Sequence, residues 1–144
     1  SNNMAEQELS NANKGKLGEE LVAKYLVKKG YNILKQNQNG CDIVAQKNDE
    51  EITVEVKTSS TDSGIPDMNK TEFESVNNEW FLIADYLYIV RLNKNNKPFR
   101  LDILTKYDVD KYSDSHKIVT RIRTTKLDKD LKLGVIGEFE TIEI

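Results

Sequence analysis

The chain has little of what several classes of protein require. Its single cysteine, Cys41, has no partner for an internal disulfide, which favours the reducing environment of the cytoplasm. No apolar run approaches the ~20 residues that a membrane-spanning helix needs, so we expect no membrane association. The only histidine, His116, is far from Cys41 in the sequence, and no thiol-based catalytic triad can be proposed.

An excess of positive charge is also missing. Lysine and arginine number 21 against 24 aspartate and glutamate residues, which gives a formal net charge of −3 at pH 7. The molecule as a whole therefore does not attract a polyanion, and a nucleic-acid contact must use a metal ion or a local basic patch. The best patch spans residues 117–132, and an ordinary solvated surface explains it equally well. Its candidate phosphate-binding residues are Lys117, Arg121, Arg123 and Lys126.

The length of 144 residues fits one domain with one core. Residues 1–14 are predicted to be a cloning remnant followed by a flexible N-terminus, and residues 15–144 to be a single domain. Helical spacing of apolar residues predicts a helix from Lys16 to Lys29 that ends at Gly30. Alternating or continuous apolar residues predict strands over 31–36, 42–47, 51–58, 86–92, 99–103 and 118–124, and a return to the sheet within 135–144.

A second helix is predicted over residues 72–84. Thr71 and Glu74 have the spacing of a capping box. Four apolar residues then recur at helical spacing, which places Trp80 in the core and makes it a poor candidate for stacking on a base. They are Phe73, Val76, Trp80 and Ile83.

The strands over 42–47 and 51–58 flank the turn residues Asn48 and Asp49. A hairpin centred there sets Asp42 opposite Glu55 and puts Lys57 on the same face. Two opposed carboxylates repel each other, and a divalent cation such as Mg²⁺, or Mn²⁺, would compensate them. Lys57 would supply a compact positive charge for a scissile phosphate or an attacking water.

The alternative is that this is the wet side of an ordinary strand. Short acidic-x-Lys triplets are common in a chain with 31% charged residues, and Asp130, Leu131 and Lys132 form another one without a matching aspartate. The matched Asp42 and the apolar alternation of both strands favour the reaction-centre interpretation.

Three segments of the chain resemble a known superfamily. The segments "GEELVAKYLVKKGY" (18–31), "GCDIV" (40–44) and "EVKT" (55–58) resemble the PD-(D/E)XK superfamily of restriction-endonuclease-like nucleases. More narrowly, "KTEFESV", "DYLYIVRL" and "KPFRLDIL" resemble a domain found at the C-terminus of the plant protein NO VEIN and in bacterial defence-associated proteins.

The superfamily resemblance implies an α/β fold, a restriction-endonuclease-like mixed β-sheet flanked by helices, here with a β-rich C-terminal extension. It implies metal binding by Asp42, Glu55 and the backbone carbonyl of Val56, and a role for Lys57 at the transition state or in positioning water. Glu19 would be the helix carboxylate that completes the site, with Glu20 as its alternative. Cys41 stands where proline would precede the aspartate, a variable position that leaves the role of Asp42 intact.

These observations predict a Mg²⁺-dependent deoxyribonuclease that acts in restriction, defence or repair. The alternative is a non-catalytic nuclease-fold module that binds nucleic acid or a protein partner within a larger assembly. The sequence shows no helix-turn-helix and no zinc-finger spacing. Any specificity for DNA would therefore come from a partner, from a homodimer or from unusual DNA shape.

Overall fold

The computed structural model describes residues 10–38, 41–60, 67–115 and 119–136. The described residues form two α-helices, two short 3₁₀ turns and eleven strands. These are α1 Asn11–Lys28, β1 Asn32–Gln38, β2 Cys41–Lys47, β3 Glu50–Ser60, β4 Asp67–Asn69, a 3₁₀ turn Lys70–Glu72, β5 Phe73–Val76, β6 Glu79–Leu82, β7 Tyr86–Leu92, β8 Pro98–Thr105, a 3₁₀ turn Asp110–Tyr112, β9 Ser113–Ser115, β10 Val119–Ile122, α2 Thr124–Lys129 and β11 Gly134–Ile136.

Six strands form the central sheet in the order β1-β2-β3-β7-β8-β11. The pairing of β3 with β7 is parallel and the other pairings in this sheet are antiparallel. The prediction of a mixed α/β sheet is thus confirmed. The predicted limits of β7 match the structure, and its continuous apolar sequence reflects burial on both faces of the sheet.

Helix α1 covers one face of the sheet. Its buried side chains pack against β2, β3 and β7, as the alternation of the two hairpin strands predicted. The helix begins at Asn11, where the Ser10 side chain accepts a hydrogen bond from the Asn13 backbone N–H over 3.1 Å. Residues 11–14 therefore belong to the helix and not to a flexible N-terminus. Apolar periodicity did not detect this part of the helix because its first turn is polar.

The opposite face of the sheet carries a second apolar core. A three-stranded sheet in the order β4-β10-β9, the β5–β6 hairpin and α2 cover it. Val44 of β2 belongs to this core. The face that the sequence predicted to be polar is therefore polar only in part. Other members of this core are Met68, Leu82, Leu87, Ile89, Leu104, Ile122 and Leu127.

The helix predicted over 72–84 is wrong. This segment contains the β5–β6 hairpin, whose turn is formed by Asn77 and Asn78 with φ of 53° and 66°. Positive φ at both central residues is the geometry that a two-residue hairpin favours, and asparagine tolerates it. Trp80 pairs with Ser75 and is 45% exposed, so its predicted place in the core is also wrong.

The C-terminal part is a β-rich extension that contains the unpredicted helix α2. The strand predicted over 118–124 is β10. The predicted return to the sheet begins with β11, which pairs with β8. His116 and residues 137–144 lie outside the described residues. Within the described part of the chain, neither helix combines the length and apolar character needed to cross a bilayer.

Candidate active site

The β2–β3 hairpin has the predicted register. Ile43 pairs with Val54 and Lys47 with Glu50 around the turn at Asn48, whose φ is 55°. One position beyond Ile43 and Val54, this register sets Asp42 against Glu55. The Asp42 Oδ2 also accepts a hydrogen bond of 2.8 Å from the backbone N–H of Val56, which fixes the orientation of this carboxylate at the sheet.

Glu55 lies beside Asp42, on the face of the sheet that carries the second core. It is only 6% exposed. Burial, then the negative charges of Asp42 and Glu72, raise the pKa of Glu55 to about 8 against the opposing effect of Lys57. A side-chain hydrogen bond with Asp42 raises this pKa further. Glu55 is therefore harder to ionise than an ordinary glutamate, because its carboxyl group is removed from water and lies next to other negative charges.

Lys57 lies on the same face of β3 as Glu55, as predicted. Its Nζ is 3.7 Å from Glu55 Oε1 and 2.6 Å from Glu72 Oε1. The sequence analysis did not identify Glu72, because it placed this residue at the start of the helix predicted over 72–84. The available signal was Asn77 and Asn78, which mark a hairpin and leave the preceding residues free to turn inward.

Glu19 reaches the site from helix α1. Burial and the negative charge of Asp42 raise the pKa of Glu19. The two carboxylates are therefore close enough to repel each other. Glu20, the alternative to Glu19, is exposed. A cavity of about 140 Å³ lies between α1 and the first two strands, and it is lined by Lys16, Glu19, Glu20, Gln36, Asp42 and Ile43.

A second, larger cavity of about 370 Å³ lies near the start of β3 and β7. None of the predicted site residues lines it, so chemistry rather than size places the candidate site at Asp42. Its lining residues include Glu50, Asp85, Tyr86 and Tyr107.

The donor chemistry at Asp42 and Glu55 fits a hard divalent cation. Both offer carboxylate oxygens, and their mutual repulsion is what a cation would relieve. In the part of the chain that the structure describes, no three Asp, Glu, His or Cys side chains are already arranged as a metal-binding group. The fit thus rests on oxygen chemistry and charge, and the roles of the two carboxylates and of the Val56 carbonyl stay predictions.

The predicted basic patch is partly neutralised. Arg121 and Lys126 are exposed, on β10 and α2. Arg123 forms an ion pair of 3.1 Å with Asp114, and Lys117 lies outside the described residues. The structure therefore offers at least two exposed cations here, on elements that are separate from the acidic site.

The fold is similar to that of a bacterial homing endonuclease. The TM-score is 0.50 at 14% sequence identity, over 79% of this chain and 78% of that chain. At this identity the similarity shows the fold alone, and it agrees with the predicted restriction-endonuclease-like α/β fold.

Sequence comparison identifies the family. Residues 18–105 match the uncharacterised protein family UPF0102. A UPF0102 protein of Clostridioides difficile is 35% identical over 108 residues, which are 72% of this chain and 92% of that protein. One of Flavobacterium johnsoniae is 41% identical over 101 residues, 66% of this chain and 76% of that protein. The chain belongs to UPF0102; these matches leave the resemblance to the NO VEIN domain as a prediction.

Proposed function

We propose that this protein is a divalent-metal-dependent nuclease that hydrolyses phosphodiester bonds in DNA. The observation that supports this best is the placement of Glu55: it is buried, it is hydrogen-bonded to Asp42, and it lies 3.7 Å from the ammonium of Lys57. Two carboxylates and a lysine at this spacing suit phosphoester chemistry.

Asp42, Glu55 and the Val56 carbonyl would hold Mg²⁺ or Mn²⁺. When bound, the cation supplies charge neutralisation at the phosphate and lowers the pKa of water. The chain's own residues do the rest. The Val56 N–H holds the Asp42 carboxylate in place, Lys57 offers its charge to a phosphate oxygen, and Glu19 shapes the cavity beside Asp42. Loss of the Glu55 proton and cation binding are linked, because the same oxygens take part in both.

The setting we propose is the cytoplasm, with DNA as the substrate. The protein would act in restriction, defence or repair, alone, as a homodimer or in a larger complex. The resemblance to bacterial defence-associated proteins supports this setting. Phosphate contacts would come from Arg121, Arg123, Lys126 and Lys117.

The second candidate function is a nuclease-fold module that binds nucleic acid or a protein partner without cleaving. One observation favours it: the Lys57 ammonium is already paired with the Glu72 carboxylate, over 2.6 Å.

Metal titration tests the proposed ligands. Calorimetry with Mn²⁺ should give an affinity at least about tenfold lower in Asp42→Ala than in the unaltered protein. Asp49→Ala is the matched control, since Asp49 lies exposed at the tip of the same hairpin and should bind normally. Equal affinity in Asp42→Ala would remove Asp42 from the proposed metal site.

Cleavage assays separate the two functions. Plasmid, single-stranded and branched DNA are incubated with Mg²⁺ or Mn²⁺, and Lys57→Ala is the inactive control. Cutting that Lys57→Ala abolishes supports the nuclease. Tight DNA binding without cutting of any substrate favours the module.

The basic patch is tested by salt dependence. If Arg121 and Arg123 each neutralise a phosphate, Arg121→Ala with Arg123→Ala should flatten the slope of log affinity against log salt by about 2. Lys94→Ala with Lys97→Ala removes the same charge from the exposed β7–β8 turn and should leave the slope unchanged. An unchanged slope in the arginine variant would assign the patch to ordinary surface.

A further inference from the structure

Lys57 is held more closely by Glu72 than by Glu55. The Nζ to Oε1 distance is 2.6 Å to Glu72 and 3.7 Å to Glu55. The side chains of Lys57 and Glu72 are only 19% and 14% exposed. This is a shielded, charge-assisted hydrogen bond, which is stronger than an exposed pair of the same charges.

The other carboxylate oxygen of Glu72, Oε2, is directed inward. Its Oε2 is buried and accepts no hydrogen bond from the described residues. Burial of an unsatisfied carboxylate oxygen is unfavourable, and such atoms in folded proteins call for an explanation in function or in bound water. A carboxylate that served only to anchor a surface turn would have no reason to bury this oxygen.

The chain places Glu72 by contacts remote in sequence. The 3₁₀ turn that ends with Glu72 follows β4, which pairs with β10, so Asn69 lies opposite Val119. Met68 of β4 is fully buried in the second core. The Glu72 carbonyl also accepts a hydrogen bond of 3.0 Å from the backbone N–H of Ile83. The turn is therefore fixed at both ends.

Only Glu72 of this turn faces the site. Lys70 and Thr71 are exposed, and the Lys70 ammonium lies over the ring of Trp80, 5.0 Å from its centroid. Glu74, the next carboxylate along the chain, is exposed as well. These neighbours supply matched controls for the inward-facing carboxylate.

We infer that Glu72 is a positioning residue of the proposed site, which holds the Lys57 ammonium beside Glu55 where it meets the phosphate of the substrate. The inference rests on the proposed function for its catalytic meaning. Without Glu72, the long lysine side chain would keep, among the described residues, only the more distant Glu55 carboxyl group, 3.7 Å away, as an ionic partner.

Chemical labelling tests the contact without any assay of activity. The metal-free protein is treated with a limiting amount of an amine-acetylating reagent, and modification of each lysine is followed by mass spectrometry. Labelling of Lys57 should rise by about three- to tenfold in Glu72→Gln and less in Glu72→Asp, which retains the charge. Lys70 is the internal control and Glu74→Gln the matched variant; both should stay at the level of the unaltered protein. Unchanged labelling of Lys57 in Glu72→Gln would overturn the inference.

Kinetics then test the role in catalysis. In Glu72→Gln, kcat should fall about tenfold or more, while DNA affinity measured with Ca²⁺ stays within about twofold. Glu72→Asp should restore part of kcat. An unchanged kcat in Glu72→Gln would refute the positioning role.

Two further results are decided in advance. If Glu72→Gln does not fold, as judged by circular dichroism and thermal unfolding, Glu72→Asp carries both tests. If the unaltered protein cleaves no DNA, the proposed function fails, and the labelling result alone decides whether Glu72 positions Lys57.

Discussion

Gly18 of helix α1 approaches Thr58 of strand β3 so closely that a Cβ added to Gly18 would lie 1.9 Å from the Thr58 Oγ1. Thr58 directly follows Lys57, and Glu19 directly follows Gly18. This approach therefore sets how near the helix carboxylate comes to the candidate site.

Gly18→Ala should destabilise the protein by about 1–3 kcal/mol, because the added methyl group overpacks a tight contact. The change in the free energy of unfolding is measured by urea denaturation. Gly15→Ala is the control on the same helix, since a Cβ there meets nothing within 4 Å. It should stabilise the helix by about 0.5–1 kcal/mol. The double change Gly18→Ala with Thr58→Ala should recover part of the loss; equal effects of the two glycine changes would contradict the close contact.

The stability of the metal-free protein should fall as the pH rises from about 5 to 8. The pKa of Glu55 is raised from its ordinary value of 4.5 to about 8 by burial and by Asp42. Between these values the folded state binds more protons than the unfolded state, so the free energy of unfolding decreases with pH, by at most about 1.4 kcal/mol per pH unit from this group. Urea denaturation in EDTA at a series of pH values measures the slope.

Glu55→Gln should flatten this pH dependence, because the group that binds the extra proton is gone. Mg²⁺ should stabilise the unaltered protein more at pH 8 than at pH 6 if it binds the ionised carboxylates. A slope that is the same in Glu55→Gln would assign the pH dependence to other groups.

Asp102 should matter far more for stability than Asp114. Asp102 is fully buried and accepts hydrogen bonds from Arg100 Nε at 2.6 Å and Arg91 Nη1 at 3.3 Å. Asp102→Ala leaves two buried guanidinium groups without this partner and should cost about 3–5 kcal/mol. Asp114→Ala removes the exposed partner of Arg123 and should cost less than about 1 kcal/mol. Comparable losses in denaturant titrations of the two variants would refute the contrast.

Trp80→Ala should have little effect on stability, while Leu82→Ala should cost about 2–5 kcal/mol. Leu82 is buried in the second core and Trp80 is largely exposed, so only the leucine change opens a cavity. Trp80 is the only tryptophan of the chain, and its fluorescence should be quenched readily by acrylamide. Weak quenching would instead indicate that Trp80 is buried, as its apolar spacing predicted.

The sequence predicts this fold best where residues close together in the chain determine the structure. The turn residues Asn48 and Asp49 and strict alternation fix the β2–β3 register, because a slip of one residue would turn every apolar side chain to the wrong face. The same register brings Asp42 to Glu55. Strand β7 was predictable because burial on both faces leaves a continuous apolar run.

The failures arise where local spacing fits two structures. Apolar residues such as Phe73 and Val76 satisfy a helical period, yet Asn77 and Asn78 impose a hairpin. The six residues of α2 are too few to form a stable helix alone. Two arginines of the central sheet hold helix α2 in place by hydrogen bonds. Arg91 donates to the Asp128 carboxylate over 2.9 Å, and Arg100 donates to the Leu127 carbonyl over 2.5 Å. The position of Glu72 was hidden for two reasons: a helix was predicted from this residue onward, and the β4–β10 pairing joins segments about fifty residues apart.

The part of the chain that matches the family ends at residue 105, whereas the strand that steadies the Glu72 turn, β10, spans Val119–Ile122. The predicted site residues and the strand that fixes the Glu72 turn therefore lie in separate parts of the chain. A relative that ended near the end of β8 would keep Asp42, Glu55 and Lys57. It would lack the strand that fixes the turn of Glu72. If the nuclease activity proposed for this chain extends to its relatives, their turnover should follow the tail of each chain more than its motif.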